Sequence, residues 1–128
     1  MTETVATLLI LLCLLQIKHM FADYFLQTPR MLAGRSTYIH MGRAQHAGLH
    51  AVFSALVLSV MGAGPGFVVI LVLAEWAVHF HIDWGKARWS ETQGHDPTQA
   101  GFWRAAGVDQ ALHHLTYLGM VWAYVQFG

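Results

Sequence analysis

Histidine and aspartate residues recur in this chain as pairs spaced by four positions. Residues four apart lie on the same face of a helix, one turn apart, so each pair can direct two side chains at one place. Imidazole nitrogens and carboxylate oxygens ligate divalent metals, and they also act as general acids and bases. The four pairs are His19 and Asp23, His46 and His50, His79 and Asp83, and Asp109 and His113.

Four mostly apolar segments carry these pairs. Hydrophobic residues make up 55% of the chain and charged residues 11%, whereas an ordinary soluble domain has about 25% charged residues. A transmembrane helix needs about 20 mostly apolar residues. We therefore predict an all-α membrane protein in which residues 1–128 form a single bundle of four transmembrane helices. The predicted helices span about residues 5–27, 44–61, 67–85 and 106–127.

The start of the chain predicts a retained helix rather than a cleaved signal peptide. It reads Thr2-Glu3-Thr4, which is not basic, and no small-residue cleavage site follows the apolar run.

Basic residues predict the orientation of the bundle. Six of the seven lysine and arginine residues fall in the first and third connections, the seventh, Lys18, lies inside the first helix, and the Gly62–Gly66 turn has none. The positive-inside rule places basic loops in the cytoplasm, so both termini should lie outside it. All four pairs then lie at the cytoplasmic end of the bundle. The basic residues that set this topology are Arg30, Arg35, Arg43, Lys86, Arg88 and Arg104.

The convergence of the pairs predicts an intramembrane metal centre. Ionisable groups are costly inside a bilayer, and they usually face the bundle interior and serve a function. Helical bundles build dinuclear sites from such side chains, and eight candidates leave room for two divalent ions. Nitrogen and oxygen ligands without thiolate suit zinc, manganese or iron. The expected metal ligands are Asp23, His50, His79, Asp83, Asp109 and His113; His19 and His46 are expected as ligands or catalytic acid–base groups.

Other polar residues have simpler interpretations. Lys18 and Glu75 lie at similar depth and are expected to form an ion pair, because an isolated charge there would be expensive. Gln27 and Gln110 lie beside the cluster and should hydrogen-bond its members. A single His-x-x-x-Asp pair is more often a hydrogen bond between helices than a ligand pair, and haem ligation is a further alternative. Four pairs at matching depth favour metal. His81 and His114 point away from the paired faces.

Three functions fit this pattern. The first is a metal-dependent hydrolase acting on a lipid or lipid-linked ester or phosphoester, with a di-iron oxidase as a variant that the scarcity of carboxylates disfavours. The second is a non-enzymatic accessory or assembly subunit of a larger membrane complex or homo-oligomer, with the cluster as a polar lock or structural metal site. The third, metal or proton transport, ranks last because few polar residues lie in the outer half of the bundle.

A formal net charge of zero argues against nucleic acid as a partner.

Three stretches resemble a known family. They are residues 18–28, residues 79–86 (His79-Phe80-His81-Ile82-Asp83-Trp84-Gly85-Lys86) and residues 109–113 (Asp109-Gln110-Ala111-Leu112-His113). With His50 between them, they are similar to the bacterial and phage membrane family called domain of unknown function 3307, over nearly the whole chain. The resemblance implies a multi-pass protein of the bacterial inner membrane, and it brings no activity with it. A more distant similarity is to bacterial inner-membrane proteins described as metal-dependent hydrolases.

Overall fold

The structure is a computed structural model that describes residues 2–128, and the side chains of residues 4–128. It contains four long helices and one short helix, and no strand occurs in this described part of the chain. The predicted all-α class is confirmed. The helices are α1 (Thr2–Tyr24), α2 (Pro29–Leu32), α3 (Met41–Val60), α4 (Pro65–Gln93) and α5 (Ala100–Phe127).

The long helices pack as a ring. Helix α1 contacts α3, α3 contacts α4, α4 contacts α5, and α5 returns to α1, while α2 lies against α3. The tight turn predicted between the second and third helices is confirmed, because residues 61–64 separate α3 from α4. The long helices contain 23, 20, 29 and 28 residues. At about 1.5 Å per residue, each is about 30 Å long or longer.

Several predicted boundaries are wrong. Helix α1 ends at Tyr24 rather than near residue 27, and α5 begins at Ala100 rather than near residue 106. Helix α4 continues eight residues beyond the predicted end, because the residues after Gly85 favour helix and Arg88 pairs with Glu91 at 3.1 Å. It ends where Gly94 adopts a φ of 62°, a left-handed conformation that glycine tolerates.

The connection between α1 and α3 is folded rather than open, and the sequence did not predict its short helix α2. The side chain of Arg43 donates to the carbonyl oxygens of Thr37 and Tyr38, and to that of Phe80 at 2.6 Å. A side chain at Gly42 would collide with the carbonyl oxygen of Arg30. This loop therefore packs closely on α3 and α4 at the polar end of the bundle.

The bundle interior has two unlike halves. One half is an apolar core. The other half buries charged and polar side chains, which soluble proteins seldom do unless they are paired. The apolar core consists of Leu11, Leu15, Leu58, Val68, Tyr117 and Met120; the buried polar residues are Lys18, His19, Arg43, His46, His50, Ser54, Glu75, His79, Asp109 and His113.

Two of the helices are long and apolar enough to cross a membrane. They are the stretches Thr4–Tyr24 and Pro65–Gln93. Helices α3 and α5 carry polar residues in their first halves, among them Gln45, His46, Asp109 and Gln110, and they do not meet the same criterion. The structure therefore contains two candidate membrane spans.

Candidate metal centre

All four predicted pairs converge at the polar end of the bundle. Each long helix contributes one pair, and the carboxylates of Asp23 on α1 and Asp83 on α4 lie at the centre of two sets of imidazoles. Spacing by four aligns each pair on one helix face, and the ring of helices turns these faces inward.

Asp23 contacts three imidazoles from two helices. Its Oδ1 lies 3.0 Å from His50 Nε2 and 3.2 Å from His46 Nε2, both on α3. Its Oδ2 lies 3.2 Å from His19 Nε2, one turn earlier on α1. Asp23 therefore links α1 to α3.

Asp83 has a similar set of neighbours from three helices. Its Oδ2 lies 3.1 Å from His79 Nε2 and 3.4 Å from His46 Nε2. Its Oδ1 lies 3.2 Å from His113 Nε2 on α5. The ring of His46 reaches both carboxylates, so the two sets form one continuous cluster.

Two groups of these side chains could each hold a metal ion. Asp23, His46, His50 and His79 form one group, and His79, Asp83 and His113 form the other; within each group the ligand atoms all lie within 4.8 Å of one another. Ligands bound at about 2.1 Å in a tetrahedral site are separated by about 3.4 Å. The nitrogen–oxygen distances of 3.0–3.4 Å around Asp23 and Asp83 are of this size.

The surroundings of His79 also fit a metal ion in this cluster. His79 Nε2 is buried, and its contact with Asp83 Oδ2 at 3.1 Å does not have the geometry of a well-aligned hydrogen bond. A buried polar atom without a well-aligned partner is costly. A cation in the cluster would give this nitrogen a ligand bond.

His79 belongs to both groups, which constrains how many ions the cluster can hold. An imidazole nitrogen has one lone pair and binds one metal ion. If two ions each take three of these ligands, one is held by Asp23, His46 and His50 and the other by His79, Asp83 and His113. Three protein ligands with one position left open are typical of catalytic zinc sites.

Charge balance also favours a cation. Asp109 lies 3.4 Å from Lys86 Nζ, and Lys18 Nζ forms an ion pair with Glu75, which confirms that predicted pair. Among residues 4–128, the ion-pair partners of Asp23 and Asp83 are histidines alone. If those imidazoles are neutral, two partly buried carboxylates lack a compensating charge in direct contact, and a divalent ion would supply it.

Two predicted site residues lie at the edge of the cluster. Asp109 Oδ1 is 3.5 Å from His113 Nε2, but its carboxylate also contacts Lys86 and Gln110, and it belongs to neither metal-competent group. His19 also lies outside both groups. Its Nδ1 is 2.8 Å from the Tyr117 hydroxyl and its Nε2 is 3.2 Å from Gln110 Oε1.

The sequence analysis missed Tyr117 and the contacts that Lys18 makes with the cluster. Tyr117 follows His113 by four residues, so the same spacing that revealed the pairs extends one turn further to this residue. Lys18 Nζ donates to the carbonyl oxygen of His50 at 3.2 Å. These side chains support the imidazoles from the apolar side of the cluster.

The predicted glutamine contacts are confirmed. Gln110 contacts His19 and Asp109, and Gln27 Nε2 lies 3.5 Å from His46 Nε2. Gln27 in turn accepts a hydrogen bond of 2.6 Å from Arg35.

The two other helical histidines lie outside the cluster, as predicted. His81 and His114 are exposed and contact Tyr38 and Gln16, respectively.

A cleft leads from the polar end of the bundle to the cluster. Its volume is about 640 Å³. Its lining includes Asp23, His46 and Asp83 from the cluster, together with the basic side chains of Arg35 and Lys86. The candidate metal centre is therefore accessible from outside the bundle.

Fold and site together define a helical-bundle protein with a buried histidine–aspartate cluster. A family model described as "Protein of unknown function (DUF3307)" matches residues 10–127, and the chain belongs to this family. Neither the curated proteins nor the solved structures include a match to this chain.

Proposed function

We propose that this protein is an integral membrane protein whose four long helices all cross the bilayer. Each long helix is long enough for a hydrocarbon core of about 30 Å. Large apolar side chains are exposed on all four, and the polar residues are buried, which is the reverse of a water-soluble bundle. Exposed examples are Leu9 on α1, Leu56 on α3, Ile70 on α4 and Leu115 on α5. The basic residues at the polar end of the bundle favour an orientation in a bacterial inner membrane with both termini outside the cytoplasm.

The cluster is proposed to bind two divalent ions, zinc, manganese or iron. Asp23, His46 and His50 would hold one ion, and His79, Asp83 and His113 the other. The observation that carries this proposal is His79, a buried histidine that both ligand groups include and whose Nε2 lies 3.1 Å from Asp83 without forming a well-aligned hydrogen bond. Asp109 is then a neighbour of the centre that contacts His113 and is compensated by Lys86.

The proposed activity is metal-dependent hydrolysis of a lipid or lipid-linked substrate. A divalent ion at such a site acts as a Lewis acid and makes water a nucleophile near neutral pH. Structural metal sites are closed, whereas catalytic sites are open to substrate. The cleft of about 640 Å³ that reaches Asp23 and Asp83 supports a catalytic site.

His19 is the proposed acid–base group. It lies 3.2 Å from Asp23 and outside both ligand groups, so its ring is free to carry a proton. The Tyr117 hydroxyl at 2.8 Å fixes the orientation of that ring. His46 is assigned as a ligand, because its Nε2 faces both carboxylates.

An activity screen tests the proposal. The protein in lipid nanodiscs would be assayed against phospholipids and lipid-linked phosphates, before and after chelator treatment. Hydrolysis that is lost with chelator, restored by metal and absent in the Asp83→Asn variant supports the proposal. The His81→Ala variant is the matched control on the same helix, and it should retain activity. Hydrolysis that survives complete metal removal would contradict it.

A second candidate is a non-enzymatic subunit of a larger membrane complex. It is favoured by one observation, that His50 and His113 form hydrogen bonds with Asp23 and Asp83 at 3.0 and 3.2 Å. Such bonds could lock the helices together, with or without a structural metal. Stoichiometric metal without hydrolysis of any substrate in the screen would favour this candidate.

A further inference from the structure

A second cavity, next to the candidate metal centre, lies between α4 and α5. Its volume is about 780 Å³. Its lining is largely apolar and includes Ile82, Trp89, Val108 and Leu112. We call this cavity the α4–α5 groove.

The groove adjoins the cleft that leads to the cluster. Lys86 and Asp109 line both cavities. Their side chains form an ion pair of 3.4 Å, so a polar cavity and an apolar cavity lie on either side of one charged contact. A single ligand with a polar head and an apolar tail could occupy both.

The charge of the groove indicates the sign of that head. Arg104 lines the groove and is exposed, and its side chain takes part in none of the hydrogen bonds or ion pairs found among residues 4–128. Lys86 lies at the junction, where it balances Asp109 and its side chain is still 36% exposed. Arg104 therefore leaves a net positive charge beside the apolar wall, which is complementary to an anionic amphiphile.

We propose that the α4–α5 groove binds one acyl chain of an anionic lipid, with the phosphate of its headgroup between Arg104 and Lys86. This inference rests on the proposed membrane position and deepens the proposed function, because it assigns the substrate to the phosphate-bearing lipids. A groove between two helices at the polar end of the bundle admits a lipid sideways from the bilayer. Its headgroup then lies at the mouth of the cleft above Asp83 and His46.

Gly85 provides a direct way to close the groove. It lines the groove in the middle of α4, and a Cβ at this position would meet nothing within 4 Å. The Cβ of a Gly85→Leu side chain therefore meets no neighbour, and the rest of the side chain extends into the space of the acyl chain. Replacement of a mid-helix glycine also favours the helix, so the variant should fold. Gly107 on α5 has the same open surroundings, lies outside both cavities and gives the matched control, Gly107→Leu.

Photolabelling in nanodiscs tests the inference. The probes are a diazirine-bearing phosphatidylglycerol and a phosphatidylcholine with the same chains, and labelled positions are mapped by mass spectrometry. We expect saturable labelling of groove residues by phosphatidylglycerol. Displacement of two buried methylene groups should weaken binding roughly tenfold in Gly85→Leu, with no change in Gly107→Leu. Loss of one exposed charge in Arg104→Gln should weaken it roughly threefold.

Two outcomes would overturn the inference. One is equal labelling of Gly85→Leu and the unmodified protein, and the other is equal labelling by the two probes. Metal content measured on the same samples separates this inference from the proposed function. Groove labelling without bound metal supports the lipid site and contradicts the metal centre, and bound metal without groove labelling does the reverse.

Discussion

His79 Nε2 and Asp83 Oδ2 lie 3.1 Å apart on successive turns of α4, without the geometry of a well-aligned hydrogen bond. His79 is part of both metal-competent groups, and the Asp83 carboxylate reaches imidazoles on three helices. Helical bundles build dinuclear metal centres in this way: a pair of ligands on one helix meets pairs of ligands on the neighbouring helices. This relationship makes predictions for three variants of α4.

His79→Ala should lower bound metal by about one ion per chain, because it removes a ligand outright. Asp83→Asn should lower the affinity for metal less, since the amide keeps the shape and remains a poor ligand. His81→Ala should change nothing, because its side chain is exposed and about 200° around the helix from His79. Metal content and thermal stability would be measured together for the three variants. Equal metal content in all three would refute His79 and Asp83 as ligands.

Two further variants should separate the two proposed ions. His50→Ala removes a ligand from the group on Asp23, and His113→Ala removes one from the group on Asp83. Each single variant should retain about one ion per chain. The double variant should retain none, because neither group then has all three of its ligands. A single-ion centre would give a different result, in which either variant alone loses nearly all the metal.

The buried pair of Lys18 and Glu75 should behave as a unit. Their side chains are 4% and 1% exposed. Lys18→Met leaves a buried carboxylate unpaired and should destabilise the protein by about 3–5 kcal/mol, whereas the double variant Lys18→Met, Glu75→Leu should cost much less. Thermal unfolding of the single and double variants in detergent measures this coupling. Additive losses in the double variant would show that the two charges do not depend on each other.

Both termini should lie outside the cytoplasm, because the basic residues concentrate at the opposite end of the bundle. Reporter fusions after Gly128 measure this, and an enzyme active only in the periplasm should report activity there. A cytoplasmic C-terminus would reverse the orientation and place the metal centre at the outer face of the membrane.

The helix faces could be predicted from the sequence, and the loop geometry could not. Spacing by four identified all eight members of the pairs, because this spacing fixes a helix face whatever the neighbours are. The pairing of Lys18 with Glu75 followed from the cost of an isolated buried charge. The extension of α4 to Gln93 was missed, since the predicted span followed the apolar run to Gly85, whereas the helix continues through the polar helix formers after it.

Roles within the cluster depend on tertiary distances. His19 and His46 have the same residue type and similar spacing, yet only His46 faces both carboxylates. Asp109 and Asp83 likewise differ in their roles, because Lys86 lies beside Asp109 where a set of imidazoles surrounds Asp83. No pattern in the sequence distinguishes these cases, because the helix–helix distances that decide them come from packing.

The central claim is that the cluster binds divalent metal, and elemental analysis of the purified protein tests it most directly. The protein would be purified in detergent without added metal and then analysed for zinc, manganese and iron. We expect about two ions per chain, bound tightly enough to survive purification, and a loss of thermal stability when a chelator removes them. Metal at background level, with thermal stability unchanged by added zinc, manganese or iron, would contradict the claim.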